Sequence, residues 1–244
     1  MAGGVRELSV APERLERFLE NFLCRHSGEA APDAPRGGAA AGQEDAARSG
    51  EALGARPPAS WSVDDDTVTV VARDGTRAEC RVPFPPLRSD PDAIFGGLVE
   101  HVCRDRRVGV VLVRLGGYAA GVFEGSRLVA SKVGSRLVHG RSAAGGWSQQ
   151  RFARRREKQA REAFRAAADV VARIVVPVAD TLDAVVVGGD RRAVAQVLDD
   201  PRLAPLRPLV VPPHLTVPDP KLAVLQRTPE QFRSVRVRLV SAGP

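Results

Sequence analysis

Residues Val108–Leu115 have the sequence VGVVLVRL, a nearly continuous run of β-branched and aliphatic side chains. A strand buried on both faces has this pattern, whereas a half-exposed strand alternates apolar and polar residues. The run therefore predicts the central strand of a sheet. Gly116-Gly117 follows as a tight turn, and Tyr118–Glu124 and Arg127–His139 predict two further strands, so the three strands form an antiparallel meander.

The segments on either side of this meander predict further strands and helices. Two strand-like runs, Thr67–Ala72 and Ala78–Val82, flank Asp74-Gly75, and an Asp-Gly pair in that position is a strong hairpin signal. Apolar residues at helical spacing predict a helix over Asp92–Arg104. The fold class is therefore α/β, with a mixed β-sheet, an antiparallel meander and flanking helices. Downstream, the predicted elements are a helix over Gln149–Val171, a strand over 184–188, a helix over Arg191–Leu198 capped by Asp190, a strand over Leu209–Val211, a helix over 219–226 and a half-exposed strand over Arg233–Val240.

The N-terminal quarter of the chain differs from the rest in composition. Residues 11–25 predict a short amphipathic helix, which packs either on the main domain, the more common outcome, or in the groove of a partner. Residues 27–59 are rich in Ala, Gly, Pro, Ser, Asp and Glu and predict a linker or disordered loop. The predicted organisation is thus an N-terminal helix at 1–26, a disordered linker at 27–60 and a folded domain at 61–244.

The charge balance favours an anionic partner. The chain has 244 residues and a formal net charge of +7, which suits nucleic acid or the ribosome. Nearly all the positive charge is arginine, whose forked donors suit phosphate, although a genome rich in G and C produces the same bias. No apolar run approaches membrane-spanning length and the N-terminus has no signal core, so we expect a soluble, cytoplasmic protein without membrane contact.

The sequence offers no metal or cofactor site. The three cysteines form no CxxC pair, which argues against a zinc ribbon, and we expect reduced thiols. Asp64-Asp65-Asp66 has no partner cluster nearby and predicts an exposed acidic turn. The chain contains no P-loop, HExxH or nucleophile elbow. We therefore expect neither a metal nor a cofactor.

The stretch His139–Arg165 has the sequence HGRSAAGGWSQQRFARRREKQAREAFR and carries the candidate chemistry. Its first part is a glycine-rich loop that includes Gly145 and Gly146, where backbone N–H groups can approach another chain closely. Polar residues then stand at the start of the predicted helix, whose N-terminal N–H groups favour an incoming oxyanion. A positive stripe at i, i+3 and i+4 spacing completes the stretch: Arg151, Arg154, Arg155, Lys158, Arg161 and Arg165.

These residues resemble the central domain of eukaryotic and archaeal class-one release factors. Gly145-Gly146, a following glutamine and the run Arg151-Phe152-Ala153-Arg154 are similar to the Gly-Gly-Gln loop of that family and the basic helix after it. The resemblance is closer to the Vms-like release factors, in which a Gly-Gly-Ser-Gln type loop takes its place. It implies a release-factor-like, RNase H-like catalytic domain at 61–244.

The resemblance also implies an activity and roles for residues. It implies hydrolysis of peptidyl-tRNA on stalled large ribosomal subunits, by a monomer that contacts rRNA and tRNA. Trp147 occupies the position of the family's glutamine. The first choice for the essential residue is therefore Gln149, which directly follows Ser148, and the second choice is Gln150. Such a glutamine would orient water or stabilise the oxyanion, since it has no useful pKa for a strong base. Trp147 either stacks on an RNA base or anchors the loop to the domain.

Two other function classes stay open. A non-catalytic ribosome- or RNA-binding module would need the basic helix but not the glutamines. An RNase H-like nuclease would need a carboxylate cluster on adjacent strands, and the meander offers only Glu124.

Overall fold

The computed structural model describes residues 5–27, 60–64, 66–90, 92–114, 116–135 and 148–241, and between 148 and 156 it describes the side chain of Arg154 alone. The chain forms two compact units. Unit 1 holds the described residues up to Val82, together with Arg88–Val99 and the residues from Val235 onward. Unit 2 holds Pro83–Leu87 and Glu100–Ser234.

The described residues contain nine strands and six α-helices. The strands are β1 (Val5–Val10), β2 (Ser60–Val63), β3 (Thr67–Val71), β4 (Arg77–Arg81), β5 (Arg107–Arg114), β6 (Gly117–Glu124), β7 (Arg127–Ser135), β8 (Ala184–Gly189) and β9 (Val235–Val240). The helices are α1 (Pro12–Arg25), α2 (Leu98–Cys103), α3 (Ser148–Ile174), α4 (Arg191–Leu198), α5 (Leu222–Gln226) and α6 (Pro229–Phe232), and short 3₁₀ helices occupy Ile94–Gly97, Val176–Thr181 and Pro201–Leu209.

Unit 1 is built on an antiparallel sheet with the strand order β1-β9-β4-β3-β2. The predicted hairpin is confirmed as β3 and β4, and in its turn Thr76 N–H donates to Asp74 Oδ1 at 2.8 Å while Gly75 adopts a φ of +81°. Strand β1 was not predicted. It is a short strand at the edge of the described sheet and pairs there with β9, which lies more than 200 residues away along the chain.

Helix α1 confirms the predicted amphipathic helix and belongs to unit 1. Its buried apolar stripe consists of Leu15, Leu19, Phe22 and Leu23. Just after its C-terminus, His26 Nδ1 lies 2.8 Å from Asp74 Oδ2 in the β3–β4 turn. The helix therefore packs within its own unit, which is the first of the two alternatives that its sequence left open.

The predicted helix over Asp92–Arg104 is wrong in its first half. Ile94–Gly97 form a 3₁₀ turn, and the α-helix begins only at Leu98. Gly96 and Gly97 take φ values of +64° and +81°, which a helix interior does not allow. The apolar periodicity continues through this turn, so the pattern alone did not reveal the break.

Unit 2 contains a mixed sheet with the order β7-β6-β5-β8, in which β5 is antiparallel to β6 and parallel to β8. The predicted central strand and meander are therefore confirmed, as is the α/β fold class. One face of this sheet packs on α3 and α4 through residues such as Val111 and Ala120, and the other packs on α5 and α6 through Leu112 and Phe123. The burial of both faces explains the unbroken apolar run of β5.

The predicted strand over Leu209–Val211 is wrong, and the helix over 219–226 is shorter than predicted. Pro201–Leu209 form a 3₁₀ helix that contains Pro205 and Pro208, and Val210 makes only an isolated bridge with Val185. Val211 N–H donates to Val185 O at 2.9 Å, but Pro212 and Pro213 follow directly. Because proline has no N–H for a strand ladder, this pairing with β8 does not extend into a strand. Helix α5 begins at Leu222, and α6 follows it.

The predicted domain limits do not coincide with the two units. The segment 61–244 contributes to both units, while the predicted N-terminal helix lies in unit 1. The predicted linker lies outside the described residues except at its two ends. That 61–244 works as one catalytic domain stays a prediction.

Candidate nucleic-acid interface

Helix α3 is the longest element of the chain. It has 27 residues, from Ser148 to Ile174, and is therefore about 40 Å long. Alanine, arginine, glutamine and glutamate, all strong helix formers, make up most of it. The described helix includes Ser148 and the predicted start at Gln149, so both predicted glutamines lie in the first turn that the structure describes.

Among the described side chains of α3, those anchored in the core of unit 2 lie in its second half. Ala163, Ala167, Ala168 and Val171 are buried, and the last three join the core cluster on the face of the sheet beside β6. Before Ala163, every described side chain from Arg154 onward is exposed or half-buried. The exposed side chains among these, such as Arg154, Lys158 and Arg161, are therefore accessible to solvent or a partner.

Four described basic side chains of α3 lie along one side of the helix, which faces away from the buried Ala163 and Ala167 and borders on the buried Ala168. With 100° per residue, Arg154, Lys158, Arg161 and Arg165 fall within about 60° of one another around the axis. Ala167 lies roughly on the other side of the helix. We call these four residues the basic stripe. Its spacing of one turn suits a phosphate backbone that runs along the helix.

Few carboxylates neutralise the N-terminal part of this stripe, from Arg154 to Arg161. Arg161 Nη2 lies 3.4 Å from Glu157 Oε1, and the two side chains are 72% and 67% exposed. An ion pair this exposed contributes about 0–1 kcal/mol, so a phosphate can displace Glu157. Within the described side chains, Arg154 and Lys158 have no acidic group within ion-pair distance.

The C-terminal end of the stripe, which we call its inner end, has carboxylates nearby, because Arg165 lies beside a network of two carboxylates and an arginine. The guanidinium of Arg202 donates to both carboxylate oxygens of Asp200, at 2.9 and 2.7 Å, and to Asp169 Oδ1 at 2.8 Å. These hydrogen bonds to Arg202 lower the pKa of Asp200 to about 2, and the charge of Arg165 adds to the effect. The network ties α3, which carries Asp169, to the 3₁₀ helix after α4.

Lys132 belongs to the same surface, although the sequence did not single it out. It stands opposite Ala120 in the β6–β7 register, and Ala120 belongs to the core cluster that α3 covers. Lys132 is exposed and therefore adds a positive charge on the side of the sheet that carries α3. The alternation of side chains along β7 puts Lys132 on one of the two faces of the sheet. The packing of α3 shows that this is the face that α3 covers.

The two units differ in charge. The described residues of unit 1 contain equal numbers of acidic and basic side chains, whereas those of unit 2 have a clear basic excess, concentrated on α3. The net charge of +7 is therefore not spread evenly as a solubilising surface.

The remaining predicted site residues fall outside what the structure describes or only partly within it. Among the described residues, no group of three or more His, Cys, Asp or Glu is arranged to hold a metal ion. Within the same ranges, every helix is too short or too polar to cross a lipid bilayer. Gly145, Gly146, Trp147 and His139 lie outside the described residues, as do the side chains of Ser148, Gln149, Gln150, Arg151 and Arg155.

Fold and surface together define a mixed α/β protein with a long basic helix on which Arg154, Lys158, Arg161 and Arg165 are exposed. A family model described as the Actinobacteria/chloroflexi VLRF1 release factor matches residues 106–238. Because this match covers more than half of the chain, the chain belongs to that release-factor family. The match spans most of unit 2, including all of α3.

Two solved structures are also similar to this chain. One is the archaeal translation termination factor aRF1, with 19% identity and a TM-score of 0.40, and the other is described as "Archaeal protein", with 17% identity and a TM-score of 0.37. Each alignment covers 67% of this chain and 51% of the solved chain, so this chain spans about half the length of each. No curated protein matches the chain.

Proposed function

We propose that this chain hydrolyses the ester bond of peptidyl-tRNA on stalled large ribosomal subunits, as part of ribosome rescue. Membership of a release-factor family supports this proposal. The structural observation that carries it is that α3 extends back to Ser148, because the two glutamines then lie at the N-terminal end of the described part of a basic helix. The proposed catalytic segment is Gly145, Gly146, Ser148, Gln149 and Gln150, and no cofactor takes part.

In the proposed reaction, water attacks the carbonyl carbon of the ester at the 3′ end of the tRNA. The carbonyl oxygen becomes an oxyanion, and collapse of this intermediate breaks the bond to the tRNA oxygen, which takes up a proton while the peptide leaves as an acid. The first N–H groups of a helix have no partner within the helix, so they favour negative charge nearby. Gln149 or Gln150 orients the water or donates to the oxyanion, since an amide has no useful pKa for proton abstraction.

The basic stripe has a separate role in the proposal, which is to hold RNA and to aim the tip. Arg154, Lys158 and Arg161 are exposed along one side of α3. We assign phosphate contacts to these three residues and to Lys132, and we extend the assignment to Arg151, Arg155 and Arg165, with Trp147 close to an RNA base. The partners are the rRNA and tRNA of the large subunit, and the protein acts as a monomer.

The test is release of nascent peptide from purified large subunits that carry stalled peptidyl-tRNA. We expect Gln149→Ala and Gln150→Ala, made singly and together, to lower the release rate by about 10²–10³-fold where the essential glutamine is lost. Sedimentation with the subunits should be unchanged, because the basic stripe is intact. Gln226→Ala, at the exposed end of α5, is the matched control and should release peptide at the wild-type rate.

The rival function is a non-catalytic module that binds the ribosome or RNA through α3. It needs only the exposed basic stripe, and the same assay separates the two. If the wild-type chain sediments with large subunits but releases no peptide, the hydrolase proposal fails and the binding module stands. If the wild type releases peptide and the double glutamine variant does so at the same rate, the assignment of the reaction to Gln149 and Gln150 fails.

A further inference from the structure

A groove lies between α3 and α4 at the inner end of the basic stripe. It has a cavity volume of about 340 Å³, is open to solvent and lies wholly within unit 2. We call it the α3–α4 groove. Its wall on α3 includes Arg161, Phe164 and Arg165, and the opposite wall includes Gln196, Asp199 and Asp200. A volume of this size falls within the range of small-ligand sites.

The lining combines three kinds of chemistry. Arg161 and Arg165 lie one turn apart on α3, about 6 Å along its axis, and both are exposed. Phe164 is half-buried against the core and contributes an aromatic side chain to the groove. Gln196, in the last turn of α4, and Asp199, directly after it, are exposed and make no side-chain hydrogen bond among the described residues.

The charges of the groove favour an anion with hydrogen-bond donors. Both carboxylate oxygens of Asp200 already accept from Arg202, so this group is neutralised within the protein. Within the lining of the groove, Asp199 is then the carboxylate left without an arginine partner, while Arg161 also forms an exposed ion pair with Glu157 outside the lining. A phosphate suits the two arginines, while an amino or imino group suits the carboxylate, which only accepts hydrogen bonds.

We infer that the α3–α4 groove binds one unpaired nucleotide of the RNA that lies along α3, with guanine preferred. The nucleotide's phosphate lies on Arg161 and Arg165, and its base stacks on Phe164. The neighbouring N1–H and N2 amino groups of guanine donate to the carboxylate of Asp199, and Gln196 contacts the same base edge. Uracil has only one such donor. This mode of reading a splayed base by stacking and edge hydrogen bonds is common for single-stranded RNA.

This inference rests on the proposed contact between α3 and RNA, and it is tested by equilibrium binding of fluorescent RNA to the full chain. The two probes are a short oligouridine and the same oligonucleotide with one central guanosine. We expect the wild type to bind the guanosine probe about tenfold more tightly. Asp199→Asn keeps the size of the side chain and should abolish the preference, whereas Asp180→Asn removes an equal charge at an exposed position outside the groove and should keep it.

Phe164→Leu tests the stacking part of the inference. Leucine keeps an apolar side chain against the core but has no aromatic face, so the affinity for the guanosine probe should fall about tenfold. Equal binding of the two probes by the wild type, or a preference that survives Asp199→Asn, overturns the inference. If the chain releases peptide but shows no preference for guanosine, the proposed function stands and the proposed nucleotide site in the groove fails. If the chain prefers guanosine but releases no peptide, the nucleotide site stands and the proposed hydrolysis fails.

Discussion

Removal of three charges from the basic stripe should change how ribosome binding depends on salt. The variant Arg154→Gln, Lys158→Gln, Arg161→Gln replaces three exposed cations on one side of α3. For single-stranded nucleic acid, each phosphate contact contributes about −0.7 to the slope of log K against log salt concentration. Three lost contacts should therefore make the slope shallower by about 2.

The structure also gives a lower bound for this change. Arg161 lies beside Glu157, at 3.4 Å, and an arginine that keeps this partner in the complex adds no contact. The change in slope would then be about 1.4 rather than about 2.1. Across a rise in salt from about 50 to about 200 mM, the larger value means that the wild type loses about 20-fold more affinity than the variant.

The assay is binding to purified large ribosomal subunits at a series of potassium chloride concentrations. The control is Arg14→Gln, Arg17→Gln, Arg25→Gln, which removes the same net charge from exposed positions of α1, a helix whose arginines alternate with glutamates. This control should keep the wild-type slope. An equal change of slope in both triple variants would show that net charge, and not contact by α3, determines binding, and the reasoning would be refuted.

Two further predictions concern stability. Asp190→Ala removes the cap of α4, in which the carboxylate accepts from Ala193 N–H at 2.8 Å, and should lower the free energy of unfolding in urea by about 1 kcal/mol, while Asp190→Asn keeps most of it. Burial lowers the pKa of His101, so below about pH 6.5 the unfolded chain takes up a proton that the folded chain resists. As the pH is lowered below that value, the urea midpoint of the wild type should fall, and that of His101→Gln should fall less. If the urea midpoint depends equally on pH in the two proteins, this prediction is contradicted.

Elements whose signals are local were predictable from the sequence. The Asp74-Gly75 turn sets the β3–β4 hairpin, and Asp190 caps α4 through its own side chain. The predicted helix over Gln149–Val171 was confirmed as α3, because helix-forming residues follow one another along this stretch. Such signals act over a few residues, so they are present before any tertiary contact forms.

Elements that depend on distant partners were not predictable. Strand β1 is completed by β9 at the other end of the chain, and the break at Gly96 lies inside an apolar pattern that continues through it. The same holds for the candidate site. The basic stripe could be predicted from helical spacing. Lys132 joins its side of the sheet only because α3 packs there, and Gln196 and Asp199 lie near Arg161 and Arg165 only because α3 packs beside α4.

The amino-acid sequence by itself determined which segments become strands and helices in the meander and α3, and which residues make that helix basic. It also determined the resemblance to release factors, because the glycine pair, the glutamines and the arginines are contiguous in the chain. Only the tertiary structure decided which part of α3 is exposed, which carboxylates neutralise its inner end, and that a groove opens beside Phe164. The physical reason is that burial and ion pairing depend on neighbours that folding brings from far along the chain.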